Sequence, residues 1–109
     1  MKEYIICAAN HYNDDIIHIH QPINITSGFV IGGRRHHNCI YTFKLMMKDI
    51  NREDIVKLMN KCIQGFITNT NRFVNRQEAY KIAFEANQII GPNKGYATNI
   101  IGLTSEDLY

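Results

Sequence analysis

The sequence lacks several features that would place it in a specialised class of protein. It contains no tryptophan, only two prolines and three cysteines, which are Cys7, Cys39 and Cys62. An odd, low number of cysteines argues against a disulfide framework and fits a reducing cytoplasm. No apolar run approaches the ~18–20 residues that span a bilayer, and residues 1–7 lack the apolar core of a signal peptide. We therefore expect neither a membrane span nor standard secretion.

The composition is that of an ordinary folded domain. Of the 109 residues, 45% are hydrophobic and 20% are charged, which argues against disorder. The length is typical of one domain and suffices for one hydrophobic core. We therefore predict a single domain over residues 1–109.

Acidic residues are absent from two long segments, residues 16–48 and 55–77, although the net charge is only +2. Four of the five arginines lie there, as the pairs Arg34/Arg35 and Arg72/Arg76. Planar guanidinium groups suit phosphate, but the overall charge is too small for broad binding to duplex nucleic acid. Ordinary solvated faces would explain the pattern equally well. If the two segments converge, a small phosphorylated ligand is favoured.

Hydrophobic periodicity predicts a small α/β or α+β domain, with a mixed sheet of about four strands and about three helices packed on it. The predicted strands are residues 4–9, 16–20, 28–31 and 65–68. Helices are predicted over residues 35–48 and after the N-cap residues Asn51 and Asn75. Residues 10–15 and 91–95 are predicted as loops. The end of the chain is predicted as a packed turn, because Leu108 and Tyr109 would otherwise be exposed.

Two glycines, two arginines and two histidines meet in residues 32–39, between a predicted strand and a predicted helix. Paired glycines let a backbone approach a ligand, and a helix N-terminus offers unpaired N–H groups to a phosphate. The spacing matches neither a Walker loop nor a dinucleotide fingerprint. The segment predicts an anion-binding site at Arg34, Arg35, His36 and His37. The alternative is a Gly-Gly turn followed by exposed polar side chains.

Polar side chains also dominate residues 68–76, between a predicted strand and a capped helix. An exposed Phe73 could stack on a base while Arg72 or Arg76 meets phosphate, a combination that nucleotide-binding proteins use. In the alternative interpretation, Phe73 locks the entry of the helix and Asn75 is a plain cap.

The sequence supports a metal site or a catalytic site less well than it supports an anion-binding site. The histidines and cysteines show no CxxC or HExxH spacing. His36 or His37 could act as a general base beside a cysteine nucleophile, but neither acid-free segment holds a carboxylate to orient the imidazole. Residues such as Asp14 or Glu106 could supply one only by folding back. We therefore expect no metal, no cofactor and no enzymatic activity.

Four segments occur together in this chain: RHHNC at 35–39, QGFIT at 64–68, NRFVNRQEA at 71–79 and LTSEDLY at 103–109. In this combination the chain resembles the first family of phage Thoeris anti-defense proteins, over roughly residues 33–109. The resemblance implies a non-enzymatic protein that sequesters cyclic ADP-ribose isomers made by bacterial TIR-domain immune enzymes. It places the protein in the cytoplasm of an infected host. For some members it also implies a second pocket for cyclic oligonucleotides.

A cyclic ADP-ribose isomer presents two phosphates and an adenine, and the chemistry of that ligand defines the predicted site. Arg34 and Arg35 are predicted to bind a phosphate, with His36 and His37 in the same site. Arg72, or Arg76 with the helix N-terminus, is predicted to bind the second phosphate or a ribose. The predicted base- and ribose-binding residues are the aromatic and amide side chains Phe66, Phe73, Tyr109, Asn69 and Asn71.

Tight sequestration of a small ligand needs a largely buried pocket, and a 109-residue chain has little volume for one. We therefore expect a homo-oligomer with a pocket at a subunit interface, and the resemblance points the same way. Two alternatives are a phage enzyme that hydrolyses a nucleotide signal and a phage inhibitor that binds a host protein.

Overall fold

A computed structural model of the chain describes residues 2–90 and 102–109. Its strands are β1 (Ile5–Tyr12), β2 (Phe29–Gly33), β3 (Ile63–Thr68) and β4 (Phe73–Asn75). Its helices are α1 (His36–Met46), α2 (Arg52–Asn60) and α3 (Arg76–Glu85), followed by a short 3-10 turn at Ser105–Asp107. None of the helices in these two segments has the length and hydrophobicity that a membrane span requires.

The four strands form one sheet in the order β2-β1-β3-β4, and every neighbouring pair is antiparallel. An antiparallel sheet with its helices on one face defines an α+β fold. The prediction of a small sheet that carries three helices is therefore confirmed in its α+β form. The parallel pairing among the described residues is a single bridge between Ile17 and Gly28.

The helices pack on the sheet face that carries Ala8 and Tyr12, since alternate residues of β1 share a face. Below α3, buried Ala8, Phe66 and Val74 contact Ala79 and Ala83. The small alanines let the helix approach the sheet closely. Beside them, a second cluster joins β1 and β2 to α1 and α2, with the Tyr12 and Phe43 rings stacked at 4.0 Å.

The helix starts agree with the capping signals in the sequence. The Asn51 side chain accepts a hydrogen bond from the Asp54 N–H at 2.9 Å, and the Asn75 side chain accepts one from the Glu78 N–H at 2.8 Å. Each bond satisfies an amide that has no acceptor within its helix. Helix α1 is slightly shorter than predicted, at His36–Met46.

The strands differ from the prediction where pairing across the sheet decides them. Strand β1 continues to Tyr12 because its last residues pair with the beginning of β2, so the predicted loop at 10–15 starts only at Asn13. Residues 16–20 form only the bridge at Ile17, and their isoleucines are exposed. Strand β4 was not predicted; it exists because residues 73–75 pair with β3. The predicted loop at 91–95 lies outside the described residues.

An ion pair ties the N-terminal residues to the turn between β3 and β4. The Arg72 guanidinium donates from Nε and Nη2 to the two carboxylate oxygens of Glu3, at 2.9 and 2.8 Å. The Thr68 and Thr70 hydroxyls also donate to this carboxylate. These bonds, the one from Arg72 above all, lower the pKa of Glu3 to about 2. The cluster is partly solvent-exposed, which limits its contribution to stability.

We expect Glu3→Gln to lower the free energy of unfolding by about 1–2 kcal/mol at neutral pH, after allowance for solvent screening. Because the pKa of Glu3 is depressed in the folded state, its contribution is present above about pH 4.5 and is lost as the pH falls towards 2. Urea denaturation of both proteins between pH 2 and 7 measures this. The exposed Glu85→Gln on α3 is the control. A difference that stays constant with pH would contradict the ion pair.

Candidate anion-binding cleft

Helices α1 and α3 begin at the same level of the sheet. The residues Gly33, Ala8, Phe66 and Val74 lie in one row across the four strands. Helix α1 starts three residues after Gly33, and α3 starts two residues after Val74. Their N-termini and the 102–109 segment enclose an open cleft of about 360 Å³, lined by Arg35, His36, His37, Arg76, Thr104, Ser105 and Glu106.

Arg76 is a half-buried cation with neutral partners. Its guanidinium donates to the Leu103 carbonyl at 2.8 Å and to the Gln64 side-chain oxygen at 2.6 Å. Within the part of the chain that the structure describes, no carboxylate lies within 4.0 Å of it. Burial lowers the pKa of the guanidinium, which nevertheless stays charged. The cleft therefore contains a positive charge that no described acidic side chain pairs.

His36 connects Arg76 to the sheet. Its Nε2 lies 2.9 Å from the Gly65 carbonyl, which assigns the proton to Nε2 and leaves Nδ1 as an acceptor facing Arg76 Nη2 at 3.5 Å. The imidazole meets the Phe66 ring edge to face at 5.2 Å. Burial first, and then the nearby Arg76 charge, lower the pKa of His36, while the Gly65 carbonyl and Glu106 act in the opposite direction.

Arg35 holds the end of the chain. Its guanidinium donates to the Tyr109 carbonyl at 2.7 Å and to the Ser105 hydroxyl at 3.3 Å, and it lies 3.7 Å from the Glu106 carboxylate. The guanidinium groups of Arg34 and Arg35 lie 5.3 and 5.5 Å from the centre of the Tyr109 ring. The Tyr109 hydroxyl donates to the Arg34 carbonyl. The expected packed turn at the end of the chain is present.

Gly102 lets the 102–109 segment cross the start of α3. It has φ +85°, and a Cβ at this position would lie 2.5 Å from the Cβ of Arg76. A side chain is thus excluded by both the backbone conformation and the space. Next along the chain, the Leu103 N–H donates to the Arg76 carbonyl at 2.9 Å, and the Leu103 side chain is fully buried. The wall of the cleft is therefore anchored in the core.

The structure divides the predicted site residues into two groups. The cleft brings together Arg35, His36, His37 and Arg76, with Arg34 and Tyr109 beside Arg35. The remaining predicted residues lie outside its lining; these are Phe66, Asn69, Asn71, Arg72 and Phe73.

Packing explains the positions of the two phenylalanines. Phe66 is fully buried under α3. Phe73 is buried on the opposite sheet face, where its ring lies 5.8 Å from that of His11. Neither ring presents an open face for stacking on a base. With Asn75 as the helix cap, this arrangement matches the alternative interpretation of residues 68–76 more closely.

The three polar residues outside the cleft have structural partners. Arg72 is held by Glu3 and, at 3.4 Å, by Glu78. The Asn69 side chain accepts a hydrogen bond from the Tyr4 N–H at 2.7 Å. Asn71 has φ +63° in the turn between β3 and β4, a conformation that asparagine tolerates well.

Sequence reasoning did not assign Gln64, Thr104, Ser105 or Glu106 to the site. The signal for them was weak, because they lie in neither arginine pair, although Glu106 was named as an acid that could fold back. It does so, reaching Arg35. Among the described residues, no group of three or more His, Cys, Asp or Glu side chains could hold a metal ion.

A second cleft, of about 430 Å³, lies between the residues that follow β1 and helix α2. Its apolar lining includes Phe29, Met47 and Leu58. Its charged lining residues are the acids Asp14, Asp15 and Asp54 and the bases Lys57 and Lys61. Three carboxylates make this cleft less suited to an anion than the one between α1 and α3.

Residues 4–109 match the family described as Phage T4 y16D protein. The chain belongs to this family of phage proteins. Because the match covers nearly the whole chain, the 102–109 segment and both arginine pairs lie within it. No curated protein and no solved structure matches the chain.

We expect the imidazole of His36 to titrate below pH 6.5, because it is half-buried and faces a guanidinium. Arg76→Gln removes the repelling charge and should raise the pKa of His36. Stability should fall as the pH drops below about 6.5, since the unfolded chain takes up this proton more readily. An NMR titration of the His36 ring signals measures the pKa in the wild-type protein and in Arg76→Gln, with the exposed Arg52→Gln as the control. An unchanged pKa in Arg76→Gln would show that the two groups do not interact.

Proposed function

We propose that this phage protein binds a cyclic nucleotide immune signal of the host, a cyclic ADP-ribose isomer, and sequesters it without cleaving it. The observation that carries the proposal is the Arg76 guanidinium, which is half-buried in a cleft and hydrogen-bonded to neutral acceptors. A ligand phosphate would bring a negative charge into contact with this guanidinium, on which Glu106 acts only from beyond 4.0 Å among the described residues. The resemblance to anti-defense proteins and the phage family both support this assignment.

The groups around Arg76 suit a compact, doubly phosphorylated ligand. Arg35 lies across the same cleft, and the exposed His37 adds donors at its edge. The N–H groups of His36 and His37, the first two residues of α1, have no acceptor within the helix and are available to a phosphate oxygen, whereas the Asn38 N–H donates to the Arg35 carbonyl at 3.0 Å. The two phosphates of a cyclic ADP-ribose isomer are joined to each other, so neighbouring cationic groups can bind both.

An adenine needs a flat apolar surface, and Tyr109 offers one beside Arg34 and Arg35. Phe66 and Phe73 are buried, whereas the Tyr109 ring is partly exposed. A base stacked there would sit next to guanidinium groups that already lie close to this ring.

The chemistry of the cleft favours binding over covalent catalysis. His36 faces a carbonyl and a guanidinium, so no carboxylate orients its imidazole. Burial raises the pKa of the Cys39 thiol to about 11 and also raises those of Cys7 and Cys62. Thiols of this kind stay protonated at neutral pH and make poor nucleophiles.

Sequestration would also require a more enclosed pocket than one chain forms, because His37 and Glu106 leave the cleft open to solvent. Self-association can supply the missing wall. The loop after β1 exposes large apolar side chains, with Ile17 82%, Ile19 79% and Ile23 72% exposed. Such exposed isoleucines suit a contact with a second copy of the chain, and none of the three lines the cleft itself.

The function is tested by incubating the protein with a panel of cyclic ADP-ribose isomers and cyclic oligonucleotides. After filtration, the free compound is quantified, and the retained fraction is heated and identified. Stoichiometric loss with release of intact compound supports sequestration. Release of an altered product would instead indicate a hydrolase. No loss of any compound would favour the inhibitor of a host protein.

Arg76→Gln should weaken retention of the compound at least tenfold, because a charge-assisted hydrogen bond contributes about 1.5–3 kcal/mol. Arg52→Gln removes the same charge from the exposed start of α2 and should leave retention unchanged. Isothermal titration measures the affinities, and circular dichroism verifies that both variants fold. Wild-type affinity in a folded Arg76→Gln would place the ligand outside this cleft.

We expect sedimentation equilibrium to give a mass that is a multiple of the chain mass. The double variant Ile17→Glu/Ile19→Glu should lower that mass, because it places two charges in the apolar cluster. Phe84→Glu, an equally polar change on α3, should retain the wild-type mass. A monomeric wild-type protein at micromolar concentration would contradict the oligomer.

A further inference from the structure

We propose that Glu106 makes the cleft selective for singly charged phosphodiesters over doubly charged phosphomonoesters. This inference rests on the proposed function, since it concerns the same cleft and the charge of its ligand. It adds a specificity-determining residue that neither the arginine pairs nor the family assignment indicates.

The position of Glu106 is the first observation. Its carboxylate lies 3.7 Å from Arg35 Nη1, within the lining of the cleft, and its side chain is 72% exposed. The Ser105 hydroxyl donates to its other oxygen at 3.4 Å. The Glu106 carboxylate thus places a negative charge beside the Arg35 guanidinium at the solvent edge of the cleft. A backbone N–H and Arg35 lower the pKa of Glu106, so the group is ionised at neutral pH.

The balance of charge is the second observation. Arg35 and Arg76 bring two positive charges, and Glu106 removes one of them. The neighbouring Asp107 does not line the cleft; it is buried and accepts hydrogen bonds from the Thr104 N–H and hydroxyl, both at 2.9 Å. His36 is held as a neutral acceptor. Among the side chains that line the cleft, Arg35, Arg76 and Glu106 therefore leave one net positive charge, and a bound phosphate group meets the repulsion of Glu106 as well as the attraction of the two guanidinium groups.

Electrostatic repulsion turns this balance into selectivity. The repulsive energy between Glu106 and a phosphate is proportional to the charge of the phosphate. Because the affinity depends exponentially on this energy, the factor by which Glu106 weakens the binding of a dianion is the square of the factor for a monoanion. Each phosphate of a cyclic ADP-ribose isomer is joined through two oxygens and carries one charge. The terminal phosphate of AMP or ATP carries close to two, because its second pKa is near 6. Glu106 would thus disfavour a doubly charged phosphomonoester group in the cleft relative to a singly charged phosphodiester group.

Two small probes test the inference without a nucleobase: dimethyl phosphate, a monoanion, and methyl phosphate, a dianion at pH 8. NMR titrations of the His36 and His37 ring signals give both affinities for the wild-type protein and for Glu106→Gln. We expect Glu106→Gln to bind dimethyl phosphate about threefold and methyl phosphate about tenfold more tightly. The preference should therefore shift about threefold towards the monoester.

Glu85→Gln is the matched control, because it makes the same charge change at the far end of α3 and should leave the ratio of the two affinities unchanged. Equal effects of Glu106→Gln on both probes, or no effect, would overturn the inference. Failure of the folded wild-type protein to bind either probe at millimolar concentration would also overturn it. If the probes bind with the expected shift while no cyclic ADP-ribose isomer is retained, the proposed function alone fails.

Discussion

A guanidinium that is half-buried without a carboxylate constrains the whole region around it. Arg76 stands at the first position of α3, where the sheet, α1 and the 102–109 segment meet. Its donors need acceptors, and these come from the Leu103 carbonyl, Gln64 and His36. Because leaving such donors unpaired is strongly unfavourable, Arg76 holds the 102–109 segment, the Gln64 side chain of β3 and the start of α1 together.

The two arginines of the second acid-free segment are four residues apart, but their environments differ. Arg72 lies in the turn before β4, where Glu3 from the other end of the chain forms a two-pronged pair with it. Arg76 lies beyond β4 and meets backbone and amide oxygens instead. The charge pattern of the sequence does not distinguish the two residues, because both lie in the same acid-free segment. Only the pairing of β1 with β3, which brings Glu3 close to the turn, distinguishes the arginine that is paired with a carboxylate from the one whose hydrogen-bond partners are neutral.

Local signals predicted the helices well because they act within a few residues. The Asn51 and Asn75 side chains cap their helices by accepting a hydrogen bond from the N–H group three residues further along the chain, and this spacing is visible in the sequence. The strands depend on distant partners instead. The polar Asn10 continues β1 because it is opposite Ile31 and Gln64. The isoleucines of residues 16–20 look like a strand, but among the described residues their backbone pairs only through the bridge at Ile17.

The same reasoning explains why only part of the candidate site could be predicted. Arg35, His36 and His37 are adjacent in sequence, so a helix start places them together regardless of the rest of the fold. The aromatic character of Phe66 and Phe73 favours base stacking in the sequence, but strand alternation buries Phe66 under α3 and Phe73 on the opposite face of the sheet. Ser105 and Glu106 reach the cleft only because Gly102 crosses α3 and Leu103 is buried.

Formation of the cleft and packing of the 102–109 segment against α1 and α3 are coupled. Arg35 and Arg76 both bond carbonyls of the 102–109 segment, and that segment supplies one wall of the cleft. A ligand that needs both guanidinium groups and this wall binds only the docked arrangement, so its binding free energy also stabilises the docking. The core contact of Leu103 in turn keeps the cleft formed before a ligand arrives, which reduces the ordering that binding has to impose. The anion binding proposed for this cleft would thus depend on a hydrophobic contact that lies outside the cleft.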